Sequence, residues 1–176
     1  SEDAVTTLDL TFTPASGGEP FKVRYEDPDG EGPMPSSAEP VFLHNGRDYS
    51  LELRFLNELE EAVYEINDTI EEEAEEHMIF LEVGAGVDHS YGDLESDYGE
   101  NSAGEDLPVG LRSSISTEAF SEGNASHEGS LRIMLRSIPP LVGTPYKTVD
   151  LPQKFKDGEP LPGDVMLDVS FLLTVV

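Results

Sequence analysis

Apolar and polar positions alternate with a period of two over much of this chain. Thr6, Leu8, Leu10 and Phe12 interleave with Thr7, Asp9 and Thr11, a spacing that sends one set to each face of an extended strand. Pro14 and Gly17-Gly18 interrupt it. Phe21, Val23 and Tyr25 against Lys22, Arg24 and Glu26 then predict a second strand, and the two read as a hairpin. The same alternation returns at Tyr49, Leu51, Leu53 and Phe55, at Leu111, Ser113, Ile115 and Thr117, and at Leu131, Ile133 and Leu135. It closes with Val165, Leu167, Val169, Phe171, Leu173 and Val175 as one continuous apolar face.

Elsewhere the pattern changes. Asp68 or Thr69 as N-cap, Glu71 or Glu72 as its reciprocal partner and a run of carboxylates in the first turn predict one short helix near 69–77. A short strand is expected around 62–66, and an all-apolar run predicts a buried strand at 78–83. Segments 27–40, 84–109 and 139–162, rich in Pro, Gly, Ser and acids, read as loops. About seven or eight short strands with a single helix predict an all-β, antiparallel β-sandwich, immunoglobulin-like or similar. The length of 176 residues fits a single domain, 1–176.

Charge narrows the partners. Asp and Glu number 37 against 10 Lys and Arg, a formal net charge of -27. A polyanion would meet repulsion and find few cations to release its counterions, which argues against nucleic acid and against an anionic membrane surface. Cations, neutral molecules and proteins are the expected partners. The same acidity is also what a protein working in high salt carries, because its carboxylates stay hydrated while their repulsion is screened. There is no cysteine, so disulfides, thiolate zinc sites and cysteine nucleophiles are excluded together. The apolar C-terminal run 165–176 is shorter than the roughly 20 residues a membrane helix needs.

Two acidic constellations are candidate metal sites. In Glu71-Glu-Glu-Ala-Glu-Glu-His77, a helix would place Glu73 and His77 on one face, where a carboxylate and an imidazole, with Glu76 beside them, could share a divalent ion such as zinc. A solvated acidic helix whose carboxylates complement the dipole is the alternative. Asp27-Pro-Asp29-Gly-Glu31 spaces three carboxylates two residues apart around a turn glycine, a possible calcium loop, though without the later ligands of an EF-hand; a plain turn is the alternative. The acids at 88–106 are expected to attract cations loosely. His44, His89 and His127 are expected to be exposed. No nucleophile elbow, phosphate loop or dinucleotide fingerprint occurs, so catalysis is not expected.

Segments 5–14, 21–30, 49–58, 70–80, 129–136 and 168–171, with the Glu-Glu-Ala-Glu-Glu-His block as the most specific part, resemble a family of small Bacteroidetes lipoproteins. These carry a "type 1 periplasmic binding fold" label and are commonly encoded beside TonB-dependent outer-membrane receptors; the resemblance covers nearly the whole chain. It implies an exported outer-membrane lipoprotein, anchored by a lipid upstream of Ser1, that binds a ligand or docks on a TonB-dependent receptor during uptake of a nutrient or metal. The fold in the label implies alternating strands and helices in two lobes, which these residues do not offer. A histidine often follows Leu-Arg in the family; Ser137 stands there, and if that histidine is a ligand with His77, the resemblance implies a site in this chain that is weakened or is completed differently, as by His127. The competing class is a calcium-stabilised structural or adhesive module.

Overall fold

The structure, a computed structural model, describes residues 4–30, 32–99, 105–120, 126–140 and 147–176. Its elements are β1 (Thr7–Pro14), β2 (Phe21–Glu26), β3 (Ser37–Ala38), β4 (Val41–Leu43), β5 (Asp48–Asn57), β6 (Tyr64–Glu65), α1 (Ile66–Glu72), β7 (His77–Val83), β8 (Val87–Tyr91), β9 (Arg112–Thr117), β10 (His127–Ser137), α2 (Leu151–Lys156) and β11 (Asp164–Val175). One sheet runs β3-β2-β1-β5-β9-β8, with β6 added to β5; the other runs β4-β11-β10-β7. Every pairing is antiparallel except β4 on β11, which is parallel.

Register explains why alternation was a sound guide. In the first sheet Leu8 pairs with Tyr25 and Phe55, Leu10 with Val23 and Leu53, and Phe12 with Phe21 and Leu51, all turned inward. The intervening rows, such as Arg24-Asp9-Arg54, face out, and Arg24 grips Asp9 with two bonds of 2.7 and 3.0 Å. In the second sheet Leu131, Ile133 and Leu135 lie against Phe171, Val169 and Leu167 on one side and Val83, Leu81 and Ile79 on the other. The two inner faces form one core. Each fully buried Leu, Ile or Phe contributes roughly 1.5–3 kcal/mol.

Strand β7 is apolar on both faces because both are covered. Ile79 and Leu81 face the main core, while Met78 and Phe80 form a second cluster with Met134, Ile138, Leu151 and Phe155. Leu151 and Phe155, four residues apart, are the buried face of α2; Pro152 sits in its first turn and Lys154 and Lys156 in its last, as helix ends favour. The Phe80 and Phe155 rings are 5.2 Å apart.

Several expectations need correction. The helix expected near 69–77 spans Ile66–Glu72 instead; Glu65, not Asp68 or Thr69, is its N-cap, and a separate 3-10 turn covers Ala74–Glu76. Its position follows from packing, since Ile66, Ile70 and Ala74 are the buried stripe. The Asn67 side chain fastens the first turn to β5, accepting from Phe55 N–H at 2.8 Å and donating to Leu53 O at 2.9 Å. The segment 139–162 holds α2, and 84–109 holds β8 and a 3-10 turn, Glu95–Asp97. With β3, β4 and β6 the described residues carry eleven strands, more than expected. No helix among the described residues is long and apolar enough to cross a membrane.

Candidate functional site

Burying Ile66, Ile70 and Ala74 turns the intervening glutamates outward. Glu71, Glu72, Glu73, Glu75 and Glu76 wall one side of a cleft of about 380 Å³. Ala74, Ile138 and Pro140 also line it, with Glu95 from the 3-10 turn after β8 and Tyr98 and Gly99 from the two residues that follow that turn.

That opposite wall hangs on two buried acids. Asp93 Oδ1 accepts Gly110 N–H at 2.7 Å, and its Oδ2 accepts Leu111 N–H at 2.9 Å, Arg112 N–H at 3.2 Å and the Tyr98 hydroxyl at 2.6 Å. One carboxylate thus organises both ends of a segment expected to be a loose loop. Burial, and then the Asp93 bond, push the Tyr98 phenol up from its ordinary range. Glu95 Oε1 accepts Leu107 N–H at 3.2 Å, and its Oε2 lies 2.9 Å from Lys147 Nζ. The same ammonium donates to Ala74 O at 2.9 Å. Lys147 therefore ties the acidic run to the facing wall. Burial holds it below the ordinary lysine range, opposed by Glu95, Asp93 and Glu75.

The sequence-derived ligand set is arranged otherwise than a helix would place it. Glu73 is where α1 ends, at φ -114° and ψ 42°, Glu76 closes the 3-10 turn, and His77 opens β7 with 3 % of its surface exposed. The shared helical face of Glu73 and His77 is thereby corrected. His77 Nδ1 donates to Glu73 O at 2.9 Å, so the contact joins ring to backbone and not ring to carboxylate. Glu73 and Glu76 line the cleft while His77 does not. Ser137 is the cross-strand partner of His77, whereas His127 lies ten residues back along β10, ~33 Å at strand rise, too far to complete a site with it. Among the described residues no three His, Asp or Glu side chains converge as metal ligands would. Asp27 and Asp29 sit in the loop between β2 and β3; Glu31 lies outside the described residues.

Of the lone histidines, His44 and His127 are exposed as expected and His89 is not. His89 Nε2 is 2.9 Å from the buried Ser113 hydroxyl, and burial, with Lys156 nearby, lowers its pKa to about 4 against a weaker pull from Asp93. Among the described residues no hydrogen bond orients its Nδ1, so the pair lacks the third member of a triad. No sequence signal marked Lys147, and Asp93 stood out only as one of several acids in the 88–106 segment. The partners of Lys147 lie 52 and 73 residues away, and the three backbone amides that hold Asp93 lie 17–19 residues away, beyond any local pattern. No family model, curated protein or solved structure matches this chain.

Proposed function

We propose that this chain is a non-catalytic binding module of the cell envelope, lipid-anchored and working beside a TonB-dependent outer-membrane receptor, whose acidic cleft takes a compact cationic ligand such as a metal complex. The observation that supports this reading is the cleft: five glutamates line one side of a cavity of about 380 Å³. A concave surface of one sign over a low-dielectric core focuses its field and concentrates counter-charged ligands. The buried Lys147–Glu95 pair holds the two walls in register, so the carboxylates are presented together before any ligand arrives. The envelope location and the receptor come from the lipoprotein resemblance.

Cobalt(III) hexammine, an exchange-inert trivalent cation, serves as the probe. In calorimetric titration at constant ionic strength, Glu72→Gln/Glu73→Gln lowers its affinity about tenfold, or about 1.4 kcal/mol. A control of equal charge change at exposed sites, Glu19→Gln/Glu159→Gln, leaves it near the parent value. Equal weakening by both pairs would mean that the probe senses net charge alone, and would reject the cleft as the binding site.

A further inference from the structure

A smaller cavity, of about 160 Å³, lies where α2 packs against β7 and the end of β8. Its apolar walls are the Phe80 and Phe155 rings, 5.2 Å apart, with Leu81, Pro152 and the ring of Tyr91. The Tyr91 hydroxyl is already committed, donating to Ile79 O at 2.7 Å. Phe155 is held in turn by Arg132, whose guanidinium stands 5.2 Å from the ring centroid. A dry apolar cavity of about 150 Å³ accepts one benzene, so this one has room for a single ring.

Two polar groups interrupt those walls. His89 lines the cavity with its ring 4.9 Å from that of Tyr91. The buried Ser113 hydroxyl has His89 Nε2 as its one hydrogen-bond partner among the described residues, at 2.9 Å. A buried O–H without an acceptor is costly, so the hydroxyl donates and Nε2 accepts. Nδ1 then carries the proton of the neutral ring, and among the described residues no side chain or carbonyl accepts it. The second group is Lys156. Of the basic residues on β10, on α2 and between them, Arg132 is bound to Asp168 by two bonds and Arg136 donates to three backbone carbonyls, while Lys147 is paired with Glu95 and Lys154 with Asp150. Lys156 alone of these five has no hydrogen-bond or ion-pair partner among the described residues, in a chain where acids outnumber bases 37 to 10. It lines the same cavity, close enough for its charge to act on the His89 ring.

A ring-sized apolar space with one N–H and one ammonium unanswered matches a molecule with a flat apolar body and a single anionic acceptor group. We propose that this cavity binds a small aromatic carboxylate, its ring among Phe80, Tyr91 and Phe155 and its carboxylate accepting from His89 Nδ1 and Lys156 Nζ. Aromatic walls favour an aromatic ligand through edge and offset contacts. The net charge of -27 does not forbid an anion here, because charges more than about 8 Å away are screened at physiological salt while the ammonium acts at contact. The site is separate from the acidic cleft and does not depend on a ligand there.

Benzoate is the probe, titrated into the whole chain near neutral pH and followed by NMR at the His89 imidazole and the Phe155 ring. Both signals shift saturably with a Kd of about 1 mM or tighter. Benzamide, of the same shape but uncharged, binds about fivefold or more weakly. Lys156→Gln lowers benzoate affinity by about the same factor and leaves benzamide as it was. Lys154→Gln, an equal charge change on the same helix, alters neither, and Glu72→Gln/Glu73→Gln binds benzoate as the parent does. Nitrogen shifts of the free imidazole place the proton on Nδ1. No saturable shift below about 10 mM benzoate, benzamide bound as tightly as benzoate, equal losses in the two lysine variants, or a proton on Nε2 would each overturn the proposal.

Discussion

Replacing Lys147 by methionine keeps much of the stem's volume and deletes one charge, which isolates the electrostatic role of the pair beneath the cleft. Both side chains are almost wholly enclosed, 1 % and 3 % exposed, with Nζ to Oε2 at 2.9 Å. Removing the ammonium leaves a buried carboxylate with its Leu107 N–H at 3.2 Å, and takes a donor from Ala74 O. Breaking a buried pair in this way costs about 3–5 kcal/mol. For a chain of this size that lowers Tm by about 6–20 °C. Lys147→Met/Glu95→Gln removes both charges and returns to within about 2 kcal/mol of the parent, since the desolvation penalty disappears with the attraction. Urea unfolding of the four members of the cycle at low and at high salt is the assay. The loss should persist at about 1 M salt, where exposed pairs are screened within roughly 3 Å. The sign of the pH response is a second signature. With its pKa lowered in the fold, Lys147 binds fewer protons in the native than in the unfolded state between that lowered value and about 10.4, so its contribution to stability rises with pH through that window. The methionine variant lacks this slope. A single variant within about 1 kcal/mol of the parent, or a double variant no better than the single, would refute the reasoning.

His89 makes the opposite end of the pH scale testable. Because its folded pKa is about 4 against 6.5, the native state binds fewer protons between those values; the stability it contributes is fully present above about pH 6.5 and is lost as pH falls toward 4. The loss is at most about 3.4 kcal/mol, and His89→Gln should flatten that part of the stability profile. An imidazole titrating near 6.5 by NMR would sink the prediction. For the envelope reading, expressing the complete gene with labelled palmitate in a host that processes lipoproteins should label the protein and bring it to the membrane fraction; unlabelled protein in that host would reject the anchor.

Alternation by itself determined that this chain forms antiparallel strands, because a period of two is set by backbone geometry and appears wherever one face is buried and the other wet. It located β1, β2, β5, β9, β10 and β11, and the β1–β2 hairpin, from residues such as Leu8, Leu10 and Phe12 alone. The capping residues, a separate signal, misplaced α1, because the buried stripe Ile66, Ile70 and Ala74 and the Asn67 bonds to β5 decide where the helix lies. The signs of α2 were in view, Leu151 and Phe155 four apart with Pro152 in the first turn, but six residues are too few to outweigh a Pro-rich setting. Composition marked Asp93 and Glu95 only as loop acids that would attract cations loosely. Only the tertiary structure decided that they are buried, because their stabilising partners are backbone amides and an ammonium brought from elsewhere in the chain. The acidic block was legible as charge, yet its character as the wall of a cleft follows from which side of α1 is buried, and the removal of His77 from that wall follows from the chain entering β7 there. A local pattern reports how one segment meets water; which segments enclose one another depends on long-range pairing that no window of sequence contains.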